Sequence, residues 1–260
     1  MKKYLTCVII FLSLVLVSCA DDEEPEWNAA EVCPEAGTNR YGMPNRGTFV
    51  DERDGQEYRY TTIGDQVWMA ENLKYDAPYS VCNVGETSLE KYCNLVEQNC
   101  ASKENGLESW CERFGRYYSI IEDEEMFGFI DRNLIDTICP KGWHIPTKNE
   151  WEILEDALKV DGDDGYDVAR RLSSSDSLVF KISENTLNHY NENRAGTDDC
   201  GMSLLPSGHW STMRFEPYGI VYLTASQFSN NHIYVYYSLL DASLTSNNFS
   251  HKSSIRCLKD

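Results

Sequence analysis

The chain has 260 residues, with 23 Lys and Arg against 42 Asp and Glu, a formal net charge of −19, 42% hydrophobic residues and 25% charged ones. This composition can bury a core, so wholesale disorder is excluded. The acidic balance argues against nucleic acid and against electrostatic docking on anionic lipid, since both need clustered Lys and Arg.

Lys2 and Lys3 precede an apolar run from Cys7 to Val17. A spanning helix needs roughly 20 apolar residues, so the run suits the core of an export signal instead. It ends in Leu16-Val17-Ser18-Cys19, which resembles the bacterial lipobox. The expected organisation is a lipoprotein signal peptide over 1–18, a lipidated acidic tether over 19–45 with the lipid on Cys19, and one domain over 46–260. Acyl chains on Cys19 would hold the protein to a membrane at about 0.8 kcal/mol per buried methylene. Asp21-Asp22-Glu23-Glu24 then reads either as a solvated spacer or as a surface-export signal. The expected location is the outer membrane, lipid-anchored and facing outward.

Order begins near Gly47. Thr48-Phe49-Val50 is strand-like, Asp54-Gly55 is a tight-turn dipeptide, and Gln56 to Ile63 alternates with Tyr58, Tyr60 and Thr62 on one side. Gly64-Asp65 turns into Gln66-Val67-Trp68-Met69, which completes a three-stranded meander, and Ala70 to Leu73 suggests a helical turn. Residues 76–112 read as a cysteine-rich loop. Thr147 with Glu150 forms a capping box, and Trp151, Leu154, Ala157 and Leu158 repeat at helical spacing. That helix stops near Val160, and a shorter one covers Tyr166 to Leu172. Gly219 to Ala225, Ile233 to Leu240 and Ser254 to Leu258 read as strands. Strands, two helices, then strands, without βαβ alternation, predict an α+β fold with antiparallel sheets.

There are ten cysteines. Cys7 falls in the signal and Cys19 takes lipid, which leaves Cys33, Cys82, Cys93, Cys100, Cys111, Cys139, Cys200 and Cys257. An even set in an exported chain predicts four disulfides, and spacing alone leaves their pairing open. No C-x-x-C occurs, so neither a zinc knuckle nor a thioredoxin-like pair is indicated.

Several segments together resemble the Fibrobacter succinogenes major paralogous domain family. They are Ile63 to Leu73 (IGDQVWMAENL), Phe114-Gly115-Arg116-Tyr117-Tyr118, Cys139 to Thr147 (CPKGWHIPT) with Glu150-Trp151, Gly201 to Gly208 (GMSLLPSG), and Ser254 to Asp260 (SIRCLKD). They stand in the family's order and span roughly residues 47–260. Two positions depart from its pattern: Gly201-Met202 replaces a Gly-Phe pair, and Tyr222-Leu223-Thr224-Ala225-Ser226 replaces a Phe-Trp-Ser-Ser-like strand. The resemblance implies a C-type-lectin-like fold, loop-rich and disulfide-braced, shared with formylglycine-generating-enzyme-type domains. It also implies a Cys139–Cys257 bridge and a Cys82–Cys111 loop pair. Cys93 and Cys100 would close the inserted loop, and Cys33 is left for Cys200.

Chemistry is sparsely signalled, and no catalytic residue, cofactor or firm metal site is assigned. His144 sits at the turn before the capped helix, where an imidazole commonly bonds backbone. Asp161, Asp163, Asp164 and Asp167 form a weak calcium candidate, but Tyr166 and Leu172 stand where an EF-hand loop needs Gly and Glu. Glu122 to Glu125 could supply a glycosidase acid pair, though four adjacent acids more often make a solvated loop. Aromatic residues cluster late. Trp210, Tyr218, Tyr222, Tyr234 and Tyr236 form the candidate binding set, because exposed rings stack on sugars and favour interfaces. The expected function is non-enzymatic binding or adhesion at the cell surface, toward polysaccharide or an envelope protein. The alternatives are an enzyme working on the concave face of such a fold, or a purely structural envelope component.

Overall fold

The computed structural model describes residues 27–78, 80–82, 89–90, 93, 103–118, 135–160, 163, 165–176, 196–210, 215–216, 220–228, 231–238, 241–243 and 252–260. The predicted meander is present: β1 (Arg46–Val50), β2 (Glu57–Ile63) and β3 (Gln66–Met69) pair antiparallel, in registers that include Phe49 opposite Tyr58 and Thr61 opposite Trp68. Two short strands complete the sheet, β4 (Trp143–His144) and β10 (Leu258–Lys259). The strand order is β1-β2-β3-β10-β4, so the end of the chain lies between β3 and the segment leading into the main helix.

Alternation along β3 explains why all four of its residues are buried. Successive side chains point to opposite faces. Trp68 enters one core with Trp110, Phe114, Tyr117, Trp151, Leu154 and Tyr222. Val67 and Met69 enter a second with Tyr58, Tyr60, Trp143, Ile145, Ile255 and Cys257. A sheet covered on both faces needs apolar residues in both phases, as this one has.

Three longer helices cover the first core. α2 (Lys103–Phe114) was not expected, because its region reads as a loop. α3 (Lys148–Leu158) begins with the expected capping box and buries Trp151, Leu154 and Leu158. Trp151 stacks on Tyr222, with ring centroids 5.5 Å apart, and tilts against Trp68 at 4.6 Å. α4 (Gly165–Leu172) follows. The chain then forms the β5 (His209–Trp210) and β6 (Phe215–Glu216) hairpin, and a three-stranded antiparallel sheet of β7 (Ile220–Phe228), β8 (Asn231–Ser238) and β9 (Asp241–Ser243). The α+β class with antiparallel sheets therefore holds.

Two expectations are corrected. Ala70 to Leu73 makes no helical turn. Instead the amide of Leu73 donates to the carbonyl of Ile255, so tertiary pairing overrides local preference. Residues 27–45, assigned by sequence to the tether, are packed on the domain. They carry the short helix α1 (Ala29–Val32), capped by Asn28. The indole of Trp27 donates to Asp199 at 2.9 Å, and the Arg171 guanidinium lies 4.2 Å from its ring centroid.

Three bridges are formed, Cys33–Cys200, Cys82–Cys111 and Cys139–Cys257. Cys139–Cys257 and Cys82–Cys111 are the pairings the family resemblance implied, and Cys33–Cys200 is the pair that was left over. Cys93 is also disulfide-bonded, and Cys100, its expected partner, lies outside the described residues.

Candidate functional site

The most connected polar group in the described structure was not singled out by sequence. Arg256 is fully buried. Its guanidinium donates to the carbonyls of Met69 at 3.2 Å and Met202 at 2.7 Å, and through Nη2 to the Tyr222 hydroxyl at 3.2 Å. Nε and Nη2 both donate to Asn72 Oδ1, at 3.1 and 2.6 Å. The Tyr222 hydroxyl donates to the same oxygen at 3.0 Å, and Asn72 Nδ2 donates to the Phe114 carbonyl at 2.8 Å. These partners fix the orientation of the Asn72 amide, since only its oxygen can face three donors.

Met69 and Asn72, Phe114, Met202 and Arg256 belong to four of the five family-like segments. One buried cation therefore draws together pieces of chain up to 187 residues apart. Burial pushes the Asp198 carboxyl up, against hydrogen bonds from the Ser203 hydroxyl and amide and the attraction of Arg256. A buried cation left without such partners is costly, so the arrangement is structural chemistry: it fixes the strands and offers no atom to a ligand. The sequence signal was available. A cationic residue in the apolar segment just before β10, and an Asn just beyond β3, both stood inside the quoted segments.

His144 lies between two carboxylates. Its Nε2 is 3.0 Å from Glu150 Oε1, and its Nδ1 is 2.7 Å from Asp260 Oδ1. Glu150 Oε2 accepts from the Thr147 amide and hydroxyl, so one carboxylate serves both the capping box and the imidazole. Its hydrogen bond with Glu150 raises the His144 pKa above the ordinary 6.5 despite burial, and Asp260 adds to the rise. Burial alone would raise Glu150, but the bonds from His144 and Thr147 outweigh it and hold the carboxyl at about 2. Both imidazole nitrogens are engaged, so neither is placed to take a substrate proton. The partners are two carboxylates, where the sequence led us to expect backbone groups of the turn.

The acidic loop is used internally where it is described. Asp163 pairs with Arg171 and accepts from the Val160 amide, which ties the end of α3 to α4. Asp167 lies in the first turn of α4. Asp161, Asp164 and the run from Glu122 to Glu125 lie outside the described residues. Among the described residues, no three His, Cys, Asp or Glu side chains are grouped to hold a metal ion.

The aromatic set divides. Tyr222 is corrected: it is fully buried, stacked on Trp151 and bonded to Asn72, so it cannot meet a ligand. Trp210 is half-buried, tilted against Phe215 at 5.7 Å, with its backbone paired to Lys252. Tyr234 and Tyr236 lie on β8, opposite Leu223 and Val221 in register. Tyr218 lies outside the described residues. The structure thus brings Trp210 to the β5–β6 hairpin and Tyr234 and Tyr236 to the β7–β9 sheet, and it removes Tyr222 to the interior.

A family model described as the Fibrobacter succinogenes major domain matches residues 61–259. No curated protein and no solved structure matches the chain.

Proposed function

This chain belongs to the Fibrobacter succinogenes major domain family, and from that premise we propose that it is a lipid-anchored outer-membrane protein whose C-type-lectin-like domain binds rather than transforms. The ligand class is polysaccharide or another envelope protein. One observation carries the reading: the family-like segments turn inward, onto Arg256, the Trp68–Trp151–Tyr222 stack and the Cys139–Cys257 bridge. Residues so placed hold a frame. Recognition then falls to the surface that the frame carries, with Trp210, Tyr218, Tyr234 and Tyr236 as the aromatic candidates.

The lipobox-like Leu16-Val17-Ser18-Cys19 and the acidic run behind it support anchoring and outward display. Mass spectrometry of the amino-terminal peptide should find Cys19 acylated, and protease added to intact cells should degrade the domain. Soluble chain from residue 20 should be retained on a glycan array or on cellulose, and Trp210→Ala should weaken retention without changing the fold. Absence of retention narrows the ligand to an envelope protein where cross-linking captures one, and selects the structural reading where it captures none. Turnover of any glycan by the soluble chain selects the enzyme and ends the binding-only proposal.

A further inference from the structure

The Cys33–Cys200 bridge links residues 167 positions apart, and it gives the anchored reading a mechanical consequence. Cys33 stands 14 positions after Cys19, and the aromatic candidates begin at Trp210, ten after Cys200. Along the backbone, the anchor and Trp210 are separated by most of the chain. Through the bridge, roughly 25 residues of chain join them. We propose that Cys33–Cys200 is the mechanical tie of this protein, carrying tension from the membrane anchor directly to the carboxy-terminal third and leaving residues 34–199 off the shortest covalent path. The proposal rests on the anchored, surface-binding reading.

Local contacts reinforce the tie. Arg46 Nη2 donates to the carbonyls of Cys33 and Asp199, at 3.4 and 3.2 Å, and Thr61 Oγ1 donates to the Cys200 carbonyl at 2.6 Å. The Trp27 indole bonds Asp199. Both cysteines are buried, at 1% and 0% exposure, which shields the bond from external thiols. The arm is thus clamped to the loop it is bonded to.

The connectivity makes the two long bridges unequal under load. Between residue 20 and the carboxy terminus, the shortest covalent path crosses Cys33–Cys200 and then follows roughly 70 residues in total, a limit of about 250 Å at ~3.5 Å per residue. Without that bridge the path runs through Cys82–Cys111 and Cys139–Cys257, about 93 residues or roughly 325 Å. Without Cys139–Cys257 the limit stays at about 250 Å, because the taut path never uses that bond. With every bridge reduced, roughly 240 residues extend to about 840 Å.

Single-molecule force spectroscopy on the processed chain, with handles at its two ends, reads these limits. Oxidised wild-type protein should stop at about 250 Å, the Cys33→Ser/Cys200→Ser pair near 325 Å, and the Cys139→Ser/Cys257→Ser pair again near 250 Å. A wild-type limit at or beyond the 325 Å mark overturns the tie by itself, whether or not either variant folds. Equal lengthening in both variants overturns it too. The underlying reading fails separately. If Cys19 carries no lipid while the lengths agree, the bridge stands but its load is refuted. If Cys19 is acylated and the lengths disagree, the anchor stands and the tie falls.

Discussion

Arg256 shows how one side chain can organise distant sequence. A guanidinium in the interior is tolerable only when its donors are met, and here carbonyls, one amide oxygen and one phenol meet them. Asn72 is the weak point, since its oxygen accepts from Arg256 twice and from Tyr222 once. Asn72→Ala strips that acceptor and leaves a buried charge short of partners. The expected loss is about 3 kcal/mol, read as a lower urea midpoint with an unchanged slope. A loss below about 1 kcal/mol would show that the node is loosely held. His144 supplies the pH dependence. Its folded pKa is raised, so its contribution is complete below about pH 6.5 and disappears as pH climbs through the raised value. Glu150 is held at about 2 against an ordinary 4.5, so the same contact weakens as pH falls from about 4.5 toward 2. With the histidine side chain 35% exposed, solvent screening keeps the gain below ~1 kcal/mol. Urea midpoints of wild type and His144→Asn should converge as pH rises from about 6 to 9. A constant gap across that range would assign the loss to packing.

At the level of elements, legibility followed periodicity. α3 was readable because a capping box and an apolar face at 3.6-residue spacing agree, and the meander was readable because turns bracket alternating residues. α2 was missed although Leu107, Trp110, Cys111 and Phe114 stand at helical spacing. The density of cysteine pointed to a loop, and a disulfide then fastened Cys111 of that helix to Cys82. Its end has a definite cause. Gly115 has φ of +78° and donates its amide to the Cys111 carbonyl, which stops the helix in a left-handed turn. A Cβ there would lie 2.7 Å from the Asn72 Cβ and 2.8 Å from the Leu73 carbonyl oxygen. Gly115→Ala therefore combines a disfavoured backbone with a clash against the segment that positions Asn72. The expected cost is on the order of 2–3 kcal/mol, more than left-handed strain alone, and calorimetry should show a lower Tm. A shift no larger than that of an ordinary surface substitution would refute the close approach.

Across the whole molecule, what could not be read locally was the meeting of the two ends. β10 enters between β3 and β4 only after more than 180 intervening residues, and no local pattern encodes that partner. The same closure clarifies the aromatic candidates. Alternation could not separate buried from exposed rings on β7, because Tyr222 and its neighbour Leu223 are both fully buried. Covalent bonds then hold the closure. In the chain-entropy account, a bridge restrains the unfolded chain more as its loop lengthens. Cys33–Cys200 and Cys139–Cys257 span 167 and 118 positions, whereas Cys82–Cys111 spans 29. Each long bridge is worth about 5 kcal/mol on that account and the short one about 3.5 kcal/mol. Replacing the pair Cys33 and Cys200 by serine should therefore lower stability more than replacing Cys82 and Cys111, by on the order of 1–1.5 kcal/mol in urea titrations. The buried environment of the first pair widens the gap, since two hydroxyls at Cys33 and Cys200 would lie in the first core, whereas Cys82 is only partly buried. If the short-loop variant proves the less stable, loop entropy does not rank these bridges, and the native contacts around α2 would instead be the dominant restraint.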